Sequence, residues 1–438
     1  MKNMLRAITV CVVFLNVLKR TKRMESKNDV IIVGGGIIGL ACAHYLLKEN
    51  ASVRIIEKDV IGSGASHGNC GLLHFSGILP LCAPGIVRHE IYRAICGTSP
   101  LYIKPGLDID RFLWLIKFAS HCNKSHVSYA TKAKHELLRY SKNLYAQFFK
   151  EASLSCDYEK KGLLLLFRDR QYFEKYAITN AKLKQYDFEA RPLDTKDARA
   201  IEPSIHEDVV GAYYNEHDDH VRPEILIQSW KNHLVKKGLI IEEKCKVTNF
   251  ETAHNKIRAV KTVKGRYQAD HFIISTGAFT PEFNKQLKLS IPVQPGKGYS
   301  ITMEKPDRSC EIPCLLYEKN MVVTPWKSGY RLGGTMEFSG FDKTLNKKRL
   351  ARLLNGAGEY LNTSLENPIL EEWAGFRPMT YDDLPIIDRS PDTKNLYIAT
   401  GHGMLGLTMA TGTGKAISDI ITKGSAQISL APFSLDRF

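Results

Sequence analysis

The sequence predicts an α/β fold in which a doubly wound, mostly parallel sheet is assembled from separate stretches of chain, with an α+β unit inserted between them. Three observations carry this. A β-branched strand, a glycine turn, a helix and a second strand follow one another from Asp29 to Glu57. The stretch from Glu371 to Lys423 returns to strands, a glycine-rich turn and a final helix. Between them lie a long helical region and then a run of short strands, with no internal repeat. At 438 residues the chain exceeds what one core usually holds, so two or three domains are expected. Hydrophobic residues at 44% and charged residues at 24% exclude a wholly disordered chain, a collagen-like repeat and a polytopic membrane protein.

Residues 1–28 stand apart as a basic, apolar extension. Its apolar run, Ala7 to Leu18, is twelve residues long, whereas a spanning helix needs ~20. No small-x-small cleavage pattern follows, and the positive charge directly after the run opposes export. The preferred reading is an extension ahead of a true start at Met24; a weak interfacial anchor is the second. Val30 to Val33 is then a strand buried on both faces, Leu40 to Lys48 a helix, and Val53 to Ile56 a second strand. From Val87 to Leu183 the pattern is mostly helical, as in Phe112–Phe118 and His135–Phe149. Gly162–Phe167 reads as a buried strand, Pro223–Lys237 as a helix, and Ile240–Val247 and His271–Ser275 as strands. Short strands alternate with turns from Ile291 to Gly334. The expected division gives segments 29–86, 201–285 and 371–438 to the doubly wound unit. Segments 87–200 and 286–370 become the helical and sheet parts of the inserted unit.

Basic residues number 61 against 46 acidic, a net charge of +15. Charge alone leaves nucleic acid, a lipid surface and a small anion open as partners. The basic residues are scattered, however. Lys347–Arg352 and Lys236–Lys237 look like solvated helix faces, and no zinc-finger spacing or RNA-binding aromatic motif accompanies them. No nucleic-acid partner is expected. Ten cysteines without a single CxxC fit reduced thiols in a cytoplasmic compartment.

The chemistry begins at Gly34-x-Gly36-x-x-Gly39. The first glycine makes the turn, the second lets the backbone approach a pyrophosphate, and the third packs helix against strand. The motif alone is weak, but here it follows an apolar strand and opens a helix. Glu57 lies 18 residues beyond Gly39 at a strand end, where it can accept both ribose hydroxyls. This is a Rossmann-like dinucleotide site. FAD is favoured over NAD because further βαβ units do not follow. Instead come the small-residue loops Ser63–Ser66 and Asn69–Gly71, and later the strand ending Ser275-Thr276-Gly277-Ala278.

Five segments carry a resemblance to a known family: the glycine loop, Cys82–Gly85, Pro295–Ser300, Gly375–Thr380 and Thr400–Gly406. From about Asp29 onward the chain resembles the D-amino-acid oxidase superfamily of FAD enzymes, and within it most of all the small-subunit type of bacterial D-amino-acid dehydrogenase. The resemblance implies non-covalent FAD held by Val33, Gly34, Gly36, Ile37, Ile38, Gly39, Glu57, Lys58, Ser66, Asn69, Gly71 and Val247. Thr276, Gly277, Gly375, Gly403, Met404, Leu405, Gly406 and Thr408 complete the expected set. It implies that Arg377, in Gly-Phe-Arg-Pro, holds the substrate carboxylate. A planar, always charged guanidinium suits that task; a structural arginine before Pro378 is the competing reading. Tyr299 and Tyr317 are candidates for a second substrate contact, and a buried core position competes for each. His402, between two glycines, is expected beside the isoalloxazine, with its backbone amides toward the ring or its side chain packed against it. His74 would carry a covalent tether, which this many glycine turns make unnecessary.

Acid-rich runs at Asp382-Asp383 and Asp218-Asp219-His220 read better as Asx turns or ion-pair partners than as ligands, so no metal is expected. The resemblance further implies oxidation of the Cα–N bond of a small D-amino or cyclic imino acid, with electrons passed to a quinone-type acceptor. Contact with the inner face of the membrane would accompany such an acceptor. Three rivals stand beside it: a 2-hydroxy-acid dehydrogenase using His74 or His402 as base, a non-catalytic flavin-binding scaffold, and a tRNA-modifying subunit. The intact Gly-Phe-Arg-Pro opposes the scaffold, and the diffuse basic charge opposes tRNA.

Overall fold

Val30, Ile31, Ile32 and Val33 put branched side chains on both faces of one strand, and all four are buried. That strand sits near the middle of a six-stranded sheet in a computed structural model that describes residues 28–95, 99, 101–152 and 154–438. The apolar run Ala7–Leu18 lies outside the described residues. Across the sheet the order is Ile386–Arg389, Leu396–Thr400, His271–Ile274, Asp29–Val33, Ser52–Ile56 and Ile240–Glu242. Every neighbouring pair is parallel except the first. Val33 stands opposite both Ile274 and Ile56, so three strands end together at the glycine turn. In open α/β sheets ligands bind beyond such carboxyl ends.

The helix Ile37–Lys48 is apolar nearly all round and buried from Ile37 to Leu46. It is covered by the helix Gly406–Thr422, itself buried from Leu407 to Thr413. The 29-residue helix Lys124–Ala152 lies against this second helix. There the Ser141 hydroxyl accepts from the Gly412 amide at 3.1 Å, and Tyr145 donates to the Leu407 carbonyl at 2.6 Å. Ala130, Leu137, Leu138 and Phe148 share one core with Ile32 and Leu40. The long helix therefore packs with the dinucleotide-binding sheet rather than with the inserted unit to which the segment 87–200 was expected to belong.

A nine-stranded mixed sheet forms the second layer, with Gln294–Met303 between Ile369–Met379 and Gly329–Phe338. Its far side runs through Met321–Trp326, Cys314–Leu316, Leu163–Phe167, Gly211–Asn215 and Arg191–Asp194. Two expected boundaries move as a result. Gly211–Asn215, placed by sequence in the segment 201–285 of the doubly wound unit, pairs with Leu163–Phe167 here. Ile369–Met379, most of which falls in the expected segment 371–438, pairs along Gln294–Met303.

One expected strand also divides. Ile240–Glu242 joins the six-stranded sheet, whereas Val247–Ala253 opens a separate antiparallel sheet with Lys256–Thr262. The break falls at Lys244, whose φ is +51°. The Lys244 amide donates to Asp59 and the Cys245 amide to Glu57, which turns the chain away from the sheet.

Candidate active site

A cavity of about 1200 Å³ runs from the glycine turn to the nine-stranded sheet. Gly36, Ile37 and Ile38 bring the start of the first helix onto its wall, where exposed amides and the positive helix end favour a phosphate. The Ser66 hydroxyl accepts from the Ile37 amide at 3.1 Å, tying the small-residue loop to that helix start. Helix and strand approach so closely that a Cβ on Gly39 would fall on the Gly34 carbonyl oxygen. Glu57 reaches the cavity, its Oε2 accepting from the Gly35 amide at 2.7 Å and its Oε1 from the Asp59 amide at 2.9 Å. The carboxylate is thus fixed at the strand end, with lone pairs left for ribose hydroxyls.

Val33, Gly34, Lys58, Asn69, Val247, Thr276, Gly277 and Gly375 also line the cavity, as do Gly403, Met404, Leu405 and Gly406. Three expected residues do not, and each has a structural task behind the wall. Gly39 packs the helix as described. The Gly71 amide donates to the Asn69 side chain at 2.7 Å, and the Gly71 carbonyl accepts from Val221 at 2.9 Å. Thr408 accepts from the His74 amide at 3.1 Å and donates to the Leu72 carbonyl at 3.3 Å. A long cavity walled by small residues, an open helix start and a fixed carboxylate fits an extended dinucleotide such as FAD.

Arg377 stands on the cavity wall opposite Gly296 in the nine-stranded sheet. The space its guanidinium occupies exists because residue 298 is glycine: a Cβ there would land on the guanidinium. One Nη1 bond is spent on the Thr335 carbonyl at 2.8 Å. Among the described residues no carboxylate pairs with it, and burial weakens its hold on the proton. An arginine so placed has donors left for an anion from outside the protein. Thr335 is unusual in its own right. Thr335 and Met336 together face Gly298 across a bulge, Thr335 has φ +63°, and its buried hydroxyl has no partner among the described residues. The bulge aims the Thr335 carbonyl at Arg377.

The other expected contacts divide. Tyr299 lines the cavity, but its hydroxyl donates to buried Glu337 at 3.0 Å, an ion-pair partner of Arg349 at 2.8 Å. That bond commits the proton of its hydroxyl within the protein. Tyr317 does not line the cavity at all. It packs with Phe167 at 4.5 Å and Tyr176 at 5.6 Å between ring centroids, in a cluster beneath the sheet. The expected substrate contact of Tyr317 is corrected to a core role. His402 lines the cavity, its Nε2 lies 2.9 Å from the Thr413 hydroxyl, and burial pushes its pKa down to about 3. It is a neutral, committed ring and no general base. His74 lines the cavity with Asp218 behind it, Nδ1 to Oδ2 2.8 Å.

The family model described as FAD dependent oxidoreductase (DAO) matches residues 29–420. The chain belongs to this family. This FAD-dependent oxidoreductase is 27% identical over 416 residues to a D-amino acid dehydrogenase of Vibrio atlanticus, covering 94% of this chain and 100% of that one. Among solved structures, glycine oxidase from Geobacillus kaustophilus superposes with a TM-score of 0.76 at 22% identity, covering 94% of this chain and 99% of that chain. L-proline dehydrogenase from P. horikoshii gives 0.72 at 21%, covering 94% and 98%. These two show the fold, a Rossmann-like α/β flavoprotein architecture.

One residue that no motif of the sequence marks holds the loop around His67–Asn69 in place. Arg331, fully buried, donates to the His67 and Asn69 carbonyls at 3.0 and 2.8 Å, to Thr302 at 2.8 Å and to Glu224 at 3.1 Å. It ties the loop of the first unit to the sheet of the second. Asp218, expected in an Asx turn or an ion pair, pairs with His74 at 2.8 Å, whereas nothing in the sequence points to Thr335. Among the described residues there is no group of three or more His, Cys, Asp or Glu arranged to hold a metal. No helix among them is long and apolar enough to cross a membrane.

Proposed function

We propose that this FAD-dependent oxidoreductase oxidises the Cα–N bond of a small D-amino or cyclic imino acid and hands the electrons to a quinone-type acceptor. The observation that carries the reading is Arg377: a half-buried guanidinium on the cavity wall, braced by the Thr335 carbonyl and without an acidic partner among the described residues. A substrate carboxylate is the group its remaining paired donors fit. Similarity to proteins named D-amino acid dehydrogenase supports the amine over other substrates.

The cofactor would lie with its pyrophosphate on Gly34–Ile38, its ribose on Glu57, and its ring near Gly375 and Gly403–Gly406. Bound FAD supplies the two-electron acceptor for the hydrogen at Cα. Arg377 orients the acid so that this hydrogen meets the ring on a fixed path, which is worth many kcal/mol of alignment. Phe338, Met336 and Trp373 on the same wall exclude water.

A lipid-soluble acceptor is supported by the surface. The helix Ile109–His121 turns Ile109, Phe112, Leu113 and Ile116 outward, 72%, 63%, 51% and 51% exposed. Exposed Tyr102, Ile103 and Ile91 beside it also line the cavity, and Lys104, Lys117 and Lys124 are exposed nearby. An apolar stripe flanked by lysines suits peripheral contact with the anionic inner face of a membrane.

One observation favours a second reading, a 2-hydroxy-acid dehydrogenase: His74 backed by Asp218 is the base that oxidation of an alcohol requires. Anaerobic addition of amino-acid and hydroxy-acid panels decides between them. Bleaching by D-amino or imino acids, followed by reoxidation by a short-chain quinone faster than by oxygen, is the expected result; bleaching by hydroxy acids alone overturns the proposal. Acid precipitation should release the FAD, and colour kept in the pellet would point to a covalent tether.

A further inference from the structure

His74 and Asp218 lie 144 positions apart in sequence, yet they flank one two-stranded pairing, Leu72–Leu73 against Asp219–His220. Asp218 is 0% exposed. Its carboxylate accepts from the Ser76 amide at 2.9 Å, the Ser76 hydroxyl at 2.7 Å and His74 Nδ1 at 2.8 Å. Burial opposes its ionisation, but the pairing with His74 and the hydrogen bonds from His74 and Ser76 outweigh it, so the carboxyl lies below its ordinary range. An ionised carboxylate only accepts, so Nδ1 carries the proton and the lone pair of the neutral ring is on Nε2. Among the described residues Nε2 has no hydrogen-bond partner, and the ring forms part of the cavity wall with a quarter of its side chain exposed. The Thr408 hydroxyl accepts from the His74 amide and holds the backbone.

We propose that His74 Nε2 accepts the proton that the substrate's α-ammonium group must lose before oxidation, with Asp218 as its buried positioning residue. The proposal rests on the amine reading above. An α-amino acid enters at neutral pH with no lone pair on nitrogen. Breaking one N–H bond leaves its electron pair on nitrogen and forms Nε2–H, giving an imidazolium against the Asp218 carboxylate. The freed nitrogen pair would then be available for the C=N bond, and the FAD that Gly34–Ile38 and Glu57 would hold would supply the acceptor for the Cα hydrogen and its electron pair. The imidazolium returns its proton to water. His402 is the weaker base of the two, since its ring is buried with its pKa pushed down to about 3 and its Nε2 is engaged with Thr413. The other titratable groups whose charges reach Asp218 are Lys142 on the long helix, Tyr176 on the helix Arg170–Lys184, and Asp219 beside it.

The test compares FAD-loaded wild type, His74→Gln and Asp218→Asn by stopped-flow flavin reduction across pH. Bleaching of the wild type by amino acids is established first; its failure would sink the amine reading itself, a different outcome from loss of the proton acceptor. In His74→Gln only the free-amine fraction of substrate should react. Its rate should fall by about 10²–10³ at pH 7 and climb about tenfold per pH unit until it nears wild type above the amine's own pKa. Nitrogen-15 NMR of the histidine-labelled holoenzyme should show His74 as the Nδ1–H tautomer, and Asp218→Asn should shift it. Parallel pH profiles in wild type and His74→Gln, or an Nε2–H tautomer for His74, would overturn the proposal.

Discussion

Gly298→Ala inserts a single methyl group where the Arg377 guanidinium sits. The backbone conformation can accept it, because the position is extended and the nearest atoms in its way are the end of one side chain. The group that yields is therefore the arginine. Its bond to the Thr335 carbonyl, 2.8 Å long, would be stretched or lost, and the guanidinium pushed toward the cavity. Overpacking of this kind costs about 1–3 kcal/mol of stability. The larger effect is on alignment: a displacement of about 1 Å in a group that orients substrate costs ~10²-fold in rate, about 3 kcal/mol of the barrier. Anaerobic stopped-flow bleaching should give a kcat/KM about 100-fold below wild type with FAD content unchanged. A variant within about threefold of wild type would refute the placement of Arg377 as the carboxylate clamp.

Three further outcomes are expected. Arg377→Lys keeps the charge but loses the two-point geometry, so kcat/KM for acids should fall by two decades or more, about 3 kcal/mol; amino-acid amides should lose little further, and equal losses on both classes would make the arginine structural. Glu57→Gln should weaken FAD binding by about 1–3 kcal/mol in a titration of apoprotein, and unchanged affinity would misplace the ribose contact. His44, His220 and His402 are buried, and burial pushes their pKa values from 6.5 down to about 4, about 4 and about 3. Below pH 6.5 the unfolded chain takes up protons that the folded protein refuses, so each removes about 1.4 kcal/mol per pH unit until its folded value is reached. The urea midpoint should drop steeply between pH 6.5 and 4, and a flat profile would contradict their buried neutral state.

The glycine turn, its flanking strands and Glu57 were legible because their signal is local: spacing, β-branching and a strand end within thirty residues. Arg377 was legible through its Pro-flanked motif. Tyr317 was not, because Cys314–Leu316 is a short apolar strand followed at once by the turn Tyr317–Lys319, and a one-residue shift sends a side chain to the opposite face of a sheet. Tyr299 was legible as a cavity residue, but not the commitment of its hydroxyl to Glu337, a partner 38 positions on. Ile240–Val247 reads as one strand because its polar interruption, Glu242 to Lys244, breaks the strand only through tertiary bonds to Asp59 and Glu57. Arg331 escaped for the same reason, since most of its partners lie more than a hundred positions away, and Asp218 was legible as an ion-pair partner but not its pairing with His74, 144 positions away.

The six-stranded sheet has a consequence for synthesis. Its neighbours come from residues 29–56, 240–242, 271–274 and 386–400. The strand that carries the glycine turn is made well before one flank of its sheet and the helix that covers Ile37–Lys48, which arrive only with residues 386–422. Until then a long apolar strand edge and an apolar helix face stand open, conditions under which a chain aggregates or engages a chaperone. The cavity can therefore close only after the strand Leu396–Thr400 and the helix Gly406–Thr422 have been made. A protein arrested before Leu396 would carry its whole glycine motif and still lack the strand Leu396–Thr400 and the helix that covers the motif's own helix.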